Sequence, residues 1–577
     1  MINNNEEKDN NSSIKLEEVE LNPERNTFEN KLRNTFSKED VIHNFDIITE
    51  LKLIGWENKL FESKLPIRDL SKVTDADILN EVSNDVKTIR VIKGDIERTR
   101  VQESIYMMSF KDYIYQIIIY YINKNNIAYK QGLNEIVGPF VLLKHKLQLS
   151  FSRIYKIIVC FIDKFLTNYY QEQEFYSLKS SLSLINLLLK YHDPEIFHRF
   201  EHCMITPDLY ATSWLLTLFS GKCSLNILYY LWDRLILFDD NLFPHFFIIA
   251  FLIINKNKFN KNDNSILLSV IGHLEIETIE EINILLNYAA EIRDKTPSSF
   301  YLLSNKLDIF NFNSKHLKEY YEYYNPDKML ALPMFANDIF CITYRNIIGC
   351  LDENCENFRR NKNVNNLYKC IYCRNKQAKK NISYIIIDLR IFGLEEKNNK
   401  NNDIESKIFS NTFPGFLPRT LRIDNKDLEN ENFPKNILNE YKNEKDNYHF
   451  IIITSDTNDY EKFEKEFYKD KRRKSNKIGL TFKKEKELDK IKVDEKFKKK
   501  NNNKEYLLLI EYDYFKKLIE GMNQEGFKYV SYVYGGYKEI HAFAIKHNID
   551  LLEHGKQCIL CKEIKKSNNS SFFKFWK

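Results

Sequence analysis

The sequence predicts two architectures in series: an all-α domain, followed by an α/β domain built on a parallel sheet. The first observation is the helical rhythm from about Phe45 to Phe300, where Tyr113, Gln116, Ile117 and Tyr120, and later Leu182, Ile185, Leu188 and Leu189, recur at three and four. The second is a change of character near residue 380. Tyr384-Ile385-Ile386-Ile387-Asp388-Leu389-Arg390, Phe450-Ile451-Ile452-Ile453-Thr454 and Tyr529-Val530-Ser531-Tyr532-Val533-Tyr534 are short β-branched or aromatic runs, with helical stretches such as Tyr514 to Met522 between them. Continuous apolar strands alternating with helices imply a parallel sheet covered on both faces. The third is a set of asparagine tracts, Asn3 to Asn5, Asn398 to Asn402 and Asn501 to Asn503, which bury nothing and punctuate the domains.

These observations order the 577 residues into five parts. Residues 1–40 are polar and form a tail, and 41–305 form the helical domain, with breaks expected at Gly132, Pro139, Pro194, Pro207, Pro244 and Pro297. Residues 306–379 are a helical, cysteine-containing linker. The α/β domain occupies 380–557, with a basic, disordered insertion at about 460–504, and 558–577 form a tail that opens on Cys-x-x-Cys. Within the insertion, Lys471 to Lys500 carries 14 Lys+Arg against 5 Asp+Glu, and its sparse apolar content predicts a solvated loop.

Composition narrows the function classes. An apolar content of 43% with 14% aromatic supports buried cores, whereas a net charge of +5 on this length gives no footprint for nucleic acid. The start, Met-Ile-Asn-Asn-Asn-Glu-Glu-Lys-Asp, has no basic-then-apolar leader, so a cytoplasmic location is expected. The most apolar run, Phe246 to Ile254, is about half the ~20 residues a membrane helix needs and reads as a core helix, which leaves peripheral membrane association at most.

Two short stretches carry chemistry: Ile92-Lys93-Gly94-Asp95-Ile96-Glu97-Arg98-Thr99 and Tyr129-Lys130-Gln131-Gly132-Leu133-Asn134. An arginine can cancel charge building on a transferred phosphoryl group, and a glutamine amide can orient the attacking water, so Arg98 and Gln131 together would supply what a slow GTPase lacks. Taken alone, Asp95-x-x-Arg98 would be an ordinary helical ion pair. It does not stand alone: Ser213-Trp214-Leu215-Leu216-Thr217-Leu218-Phe219 and Leu231-Trp232-Asp233-Arg234-Leu235 follow in order.

Together these four segments resemble the TBC family of Rab GTPase-activating proteins. The downstream α/β module, with Ile205-Thr206-Pro207-Asp208-Leu209-Tyr210-Ala211 and Lys295-Thr296-Pro297-Ser298-Ser299-Phe300, is similar to the subgroup typified by TBC family member twenty-three, whose second module is rhodanese-like. The resemblance implies a GTP-bound Rab-family GTPase as partner and catalysis in trans without a cofactor. The chain would then regulate a GTPase rather than turn over a substrate of its own. Arg98 would be the arginine finger and Gln131 the glutamine finger. Asp95 would hold the guanidinium as a bidentate pair, and Tyr129 and Gly132 would shape the turn carrying Gln131. It also implies vesicle traffic at Golgi or endosomal membranes and an unknown trafficking partner for the rhodanese-like module. The alternative is a silent tethering adaptor, since vertebrate members of the subgroup lack both fingers. The Leu-Arg-x-x-Trp segment that opens TBC domains is not evident around Trp56. Ile92, Trp214 and Trp232 read as core.

Cysteine placement argues separately. Rhodanese and related phosphatase chemistry needs a thiolate at a loop after a central strand, and no cysteine falls between 374 and 557, so the module is read as noncatalytic. Behind Ile453 stands Thr454-Ser455-Asp456-Thr457; Asp388 is placed at a loop cap and Gly535-Gly536 at a turn out of a strand. Cys370-x-x-Cys373 and Cys558-x-x-Cys561 flank the module, and two such knuckles suit a structural zinc. Domain termini often lie close together, which puts Cys370, Cys373, Cys558 and Cys561 first. Cys350 and Cys355 could instead join Cys370 and Cys373, and His554 stands near Cys558.

Overall fold

A computed structural model of the chain describes residues 49–62, 70–83, 85–100, 108–261, 263–311, 314–343, 383–390, 415–418, 420–423, 428, 432–457, 503–552, 554, 558, 560 and 561. The tail 1–40, Cys370 and Cys373, Cys350 and Cys355, and nearly all of the basic insertion lie outside the described residues.

The helical half opens with α1 (Glu50–Phe61), α2 (Asp75–Leu79), α3 (Val86–Arg98) and α4 (Met108–Asn125). Local chemistry sets these starts. Thr74 and Asp77 form a reciprocal capping box on α2, and the Asp85 carboxylate accepts from the Lys87 N–H at 3.0 Å to start α3. Next come α5 (Leu133–Lys146), α6 (Phe151–Phe165), α7 (Thr167–Gln171) and α8 (Tyr176–His192). They are followed by α9 (Pro194–His202), α10 (Pro207–Leu216), α11 (Leu225–Phe238) and α12 (Phe243–Ile254). Pro194, Pro207 and Pro244 sit in the first turns of α9, α10 and α12, where a missing N–H costs nothing. The half closes with α13 (Lys256–Asn260), α14 (Leu267–Gly272), α15 (Ile279–Lys295), α16 (Ser299–Lys306) and α17 (Leu317–Tyr324).

Pro139 departs from the expected break and lies inside α5. Its ring removes the N–H that would serve the Glu135 carbonyl one turn back, and the Ser220 hydroxyl donates to that carbonyl instead, at 3.0 Å. The helix survives because a neighbour supplies the lost bond. The run from Phe243 to Leu252 is buried on every side and packs against α8 and α15, the core helix its composition predicts. Trp214, Trp232 and Ile92 are buried, as read from the sequence. Phe140 stacks on Trp232, and Trp56 of α1 meets the Phe140 edge while its indole N–H donates to Asp233 at 2.9 Å. A tryptophan thus anchors the first helix even without the usual flanking pattern.

The second half contains a five-stranded, wholly parallel sheet in the order β1-β5-β4-β2-β3: β1 (Leu332–Met334), β2 (Ser383–Asp388), β3 (Thr420–Arg422), β4 (Tyr448–Ile453) and β5 (Val530–Val533). Its helices are α18 (Ala336–Thr343), α19 (Lys435–Glu440), α20 (Asn503–Gln524) and α21 (Gly536–Lys546). Side chains alternate by face: Ile387, Phe450, Ile452 and Val530 pack with α19 and α20, while Ile386, Ile451, Ile453 and Val533 pack with α18 and α21. This double coverage is what continuous apolar strands require. Strand β1 corrects the boundary at 380, because the sheet takes this edge strand from the segment read as linker.

The two halves share one compact unit, Ile54–Lys577. The Tyr529 N–H donates to the Tyr191 carbonyl at 2.8 Å, and the Tyr191 ring lies edge-on to both His449 and Tyr529. Asp338 of α18 accepts from the Ser299 N–H at 2.6 Å and the Ser299 hydroxyl at 2.7 Å, and also from the Ser298 hydroxyl. The Ser298-Ser299 segment is therefore a buried joint between helical and sheet-bearing parts.

Candidate functional site

Arg98 is the last residue of α3, and its side chain is 73% exposed. Its anchor is the opposite in character: the Asp95 side chain is 5% exposed and accepts from Arg98 Nη2 through Oδ1 at 2.5 Å. The contact is single rather than bidentate, because Asp95 Oδ2 is engaged by the Tyr129 hydroxyl at 3.0 Å. Burial raises the Tyr129 hydroxyl pKa well above its ordinary value, reinforced by the Asp95 charge, so the phenol keeps the proton it donates.

The Gln131 turn is built by residues on either side. Gly132 holds φ +107° and leads into α5, and a Cβ there would press to 3.1 Å from the Tyr170 hydroxyl, so both conformation and space call for glycine. The Gly132 N–H donates to Asn134 Oδ1 at 3.0 Å, and Asn134 Nδ2 donates to the Thr99 hydroxyl at 2.7 Å. Thr99 in turn donates to the Asp95 carbonyl at 2.9 Å. Asp95, Thr99, Tyr129 and Asn134 thereby form one network that ties the end of α3 to the turn of Gln131. Gln131 is exposed, as is Arg98. The arrangement presents a cationic fork and an amide on a common, internally braced scaffold, the donor set phosphoryl-transfer chemistry uses.

Lys130 points inward, its ammonium donating to the Tyr169 and Glu172 carbonyls and lying 3.8 Å from the centre of the Phe175 ring. Burial lowers its pKa to about 8. On the other side, Arg100 Nη2 donates to the Ser220 carbonyl at 2.5 Å and hydroxyl at 3.0 Å, pinning the chain just past Arg98 to the serine that repairs the Pro139 gap. Asn134, Lys130, Arg100 and Ser220 were not singled out in the sequence. Asn134 carries no local signal for this role, because the usual Asx turn bonds two residues forward whereas its Oδ1 reaches two residues back to the Gly132 N–H.

In the sheet-bearing half, the loop after β4 carries no cysteine. The Ser455 N–H and hydroxyl both donate to the Glu511 carboxylate, and Asp388 holds the buried Arg390 at 2.6 Å. Gly535 and Gly536 both adopt positive φ at the end of β5, the turn expected there. On the side of the sheet covered by α18 and α21, His541, His554, Cys558 and Cys561 converge. Among the described residues, Cys558 and Cys561 are grouped with His541 and His554; Cys370 and Cys373 lie outside the described residues.

Residues 67–260, which include Arg98, Gln131, Trp214 and Trp232, match the RabGAP-TBC family profile, described as the Rab-GTPase-TBC domain. The match spans about a third of the chain, so this helical segment is similar to a Rab-GTPase-TBC domain. Over 131 residues, 23% of this chain, it is 28% identical to the TBC domain-containing protein kinase-like proteins of Homo sapiens and Mus musculus, the match covering 14% of each. The Dictyostelium discoideum protein of the same name is 26% identical over 181 residues, 31% of this chain and 17% of that protein. The chain thus spans less than a fifth of the length of these relatives. Among solved structures, the Ypt/Rab-GAP domain of Gyp1p is similar at 18% identity and a TM-score of 0.35, covering 45% of this chain and 97% of that one. The Chlamydomonas flagellar RabGAP TBC domain gives 16% identity and 0.34, covering 47% and 97%. Among the described residues, no helix is long and apolar enough to cross a membrane.

Proposed function

We propose that the helical domain accelerates GTP hydrolysis on a Rab-family GTPase, with Arg98 as arginine finger and Gln131 as the water-orienting glutamine. The supporting observation is the braced pair: an exposed guanidinium held by a buried carboxylate, which is itself bonded to the tyrosine two residues before an exposed glutamine. Pre-setting Arg98 on Asp95 reduces the rotamer freedom lost on docking, and the charge it brings stabilises the β,γ-bridging region as the bond breaks. Gln131 replaces the GTPase's own glutamine beside the attacking water. Vesicle traffic, at Golgi or endosomal membranes, is the setting this reading implies.

The second half, on this reading, is a rhodanese-like module that binds a trafficking partner rather than catalysing. Among its described residues, the loop after β4 offers a serine whose N–H and hydroxyl are already taken by Glu511, and the sequence places no cysteine there to supply a thiolate.

Single-turnover GTP hydrolysis on a panel of GTP-loaded Rabs tests the proposal. Wild type should accelerate at least one member, and Arg98→Ala should remove most of an effect that arginine fingers place at ~10³ to 10⁵. Gln131→Ala should also lower the rate, with Rab binding retained in both variants. Binding without acceleration by wild type would overturn catalysis in favour of a silent tethering adaptor.

A further inference from the structure

Four metal-ligating side chains meet on the face of the sheet that α18 and α21 cover. His541 belongs to α21, while His554, Cys558 and Cys561 come from the segment behind it, and their ligand atoms all lie within 4.8 Å of one another. His541 Nε2 is 3.0 Å from His554 Nε2, 3.2 Å from Cys558 Sγ and 3.4 Å from Cys561 Sγ. Cys561 Sγ is 3.5 Å from His554 Nε2. Hydrogen bonding does not explain this convergence, because a ring nitrogen has one proton or one lone pair to direct, and His541 Nε2 faces three polar neighbours. A tetrahedral ion does. Zinc with Zn–N of about 2.05 Å and Zn–S of about 2.3 Å sets N···N edges near ~3.4 Å and N···S edges near ~3.6 Å, a few tenths of an ångström from those observed.

We propose that His541, His554, Cys558 and Cys561 form a structural zinc site that fastens the segment after α21 onto the sheet-bearing half. Two thiolates and two imidazoles are the soft and borderline donors that select zinc, and four protein ligands close the tetrahedron, leaving no position for substrate. The setting is apolar: Cys558 is buried in the cluster that includes Leu551, Ile540 and Leu560. Two thiolates packed there need a cation, and an ion supplies it. The segment is also seated by backbone. Phe416 and Leu552 exchange N–H···O bonds of 2.8 and 3.0 Å, and Gly415, at φ +107°, keeps its missing Cβ position 3.5 Å from the His554 Cβ. Arg390 Nη2 donates to the Gly415 carbonyl at 3.0 Å, so the site is linked to the buried Asp388–Arg390 pair. The assignment keeps Cys558 and Cys561 from the sequence-based quartet and replaces its other two members.

Elemental analysis of the full chain, purified without chelator, should find about one zinc per molecule. On the wild-type protein, cysteine alkylation mapped by mass spectrometry should label Cys558 and Cys561 about tenfold more after chelation, with Cys203 and Cys223 unchanged. His541→Ala combined with Cys561→Ser should abolish binding, whereas Cys370→Ser combined with Cys373→Ser should retain the zinc. Three results would overturn the proposal: wild type that takes up no zinc under reducing conditions, labelling of Cys558 and Cys561 indifferent to chelation, or zinc lost with Cys370 and Cys373. The alkylation arm needs no variant to fold, and none of these readouts depends on Rab activation.

Discussion

Gly94 is a residue that the fold itself does not call for. It lies inside α3 one turn before Arg98, without a positive φ, and a Cβ built on it meets nothing within 4 Å. Glycine in a helix interior costs ~0.5–1 kcal/mol relative to alanine, so neither conformation nor packing calls for it. Lys87, Val91, Gly94 and Arg98 fall on one helical face, where a flat glycine leaves the approach to the guanidinium open. Gly94→Ala should therefore stabilise the protein by ~0.5–1 kcal/mol in thermal unfolding and leave GTPase activation intact. Gly94→Trp should fold equally well and raise KM for the activated Rab, with kcat little changed. A tryptophan variant with wild-type KM would show that this face does not meet the GTPase.

At the scale of elements, α5 depends on its neighbours. Pro139 deprives the Glu135 carbonyl of its helical donor, and Ser220 restores the bond from outside the helix. Ser220→Ala should cost ~1–2 kcal/mol, since the carbonyl is left without that donor and Arg100 loses a hydroxyl partner. In a Pro139→Ala background the helix supplies its own N–H, and the same serine change should cost measurably less. Chemical denaturation of the four proteins in a double-mutant cycle reads the difference, and a coupling of zero would mean that Ser220 does not substitute for the missing bond. Pro139 also marks where the sequence misleads: a proline within an apolar run signals a break only when no outside donor is available, and Ser220 stands 81 residues away in sequence. Long periodic segments such as α8 and α12, and the β-branched runs of β2, β4 and β5, were legible because burial imposes their spacing. Strand β1 was not, since three residues with a central proline carry no period and depend on pairing with β5. Around Arg98 and Gln131, motif spacing pointed to the two exposed side chains, but Asn134 and Thr99 acquire their bracing roles only when α3 and α5 come together. His541 stayed hidden for a similar reason: it is one histidine on an amphipathic helix until the Phe416–Leu552 pairing brings the following segment back to it.

Two buried histidines, one of them at the joint between the two halves, give the stability of the whole molecule a pH dependence of definite sign. His192 ends α8 beside Tyr529, its Nε2 2.7 Å from the Thr296 hydroxyl. That hydroxyl donates to the Ile292 carbonyl at 2.7 Å, so it accepts from the histidine, which is neutral and protonated on Nε2. Burial lowers the His192 pKa to about 3, with Lys295, Lys528 and His449 adding like-charge repulsion, and burial also lowers His245 of α12 to about 3. In the unfolded chain each would titrate near ~6.5. Between these limits the unfolded state binds protons that the folded state refuses, so stability is full above the unfolded pKa and falls as the pH drops through the window toward the folded value. From pH 7 to pH 5 each histidine should cost about 2 kcal/mol. His192→Gln keeps an N–H donor toward Thr296 and removes the titration, so its unfolding free energy should fall by about 2 kcal/mol less than wild type over that interval. Release of zinc at His541 and His554 would act in the same direction in both proteins and cancel in the comparison. Equal acid sensitivity of wild type and His192→Gln in urea unfolding at pH 7 and pH 5 would show that the joint between the halves does not hold His192 neutral.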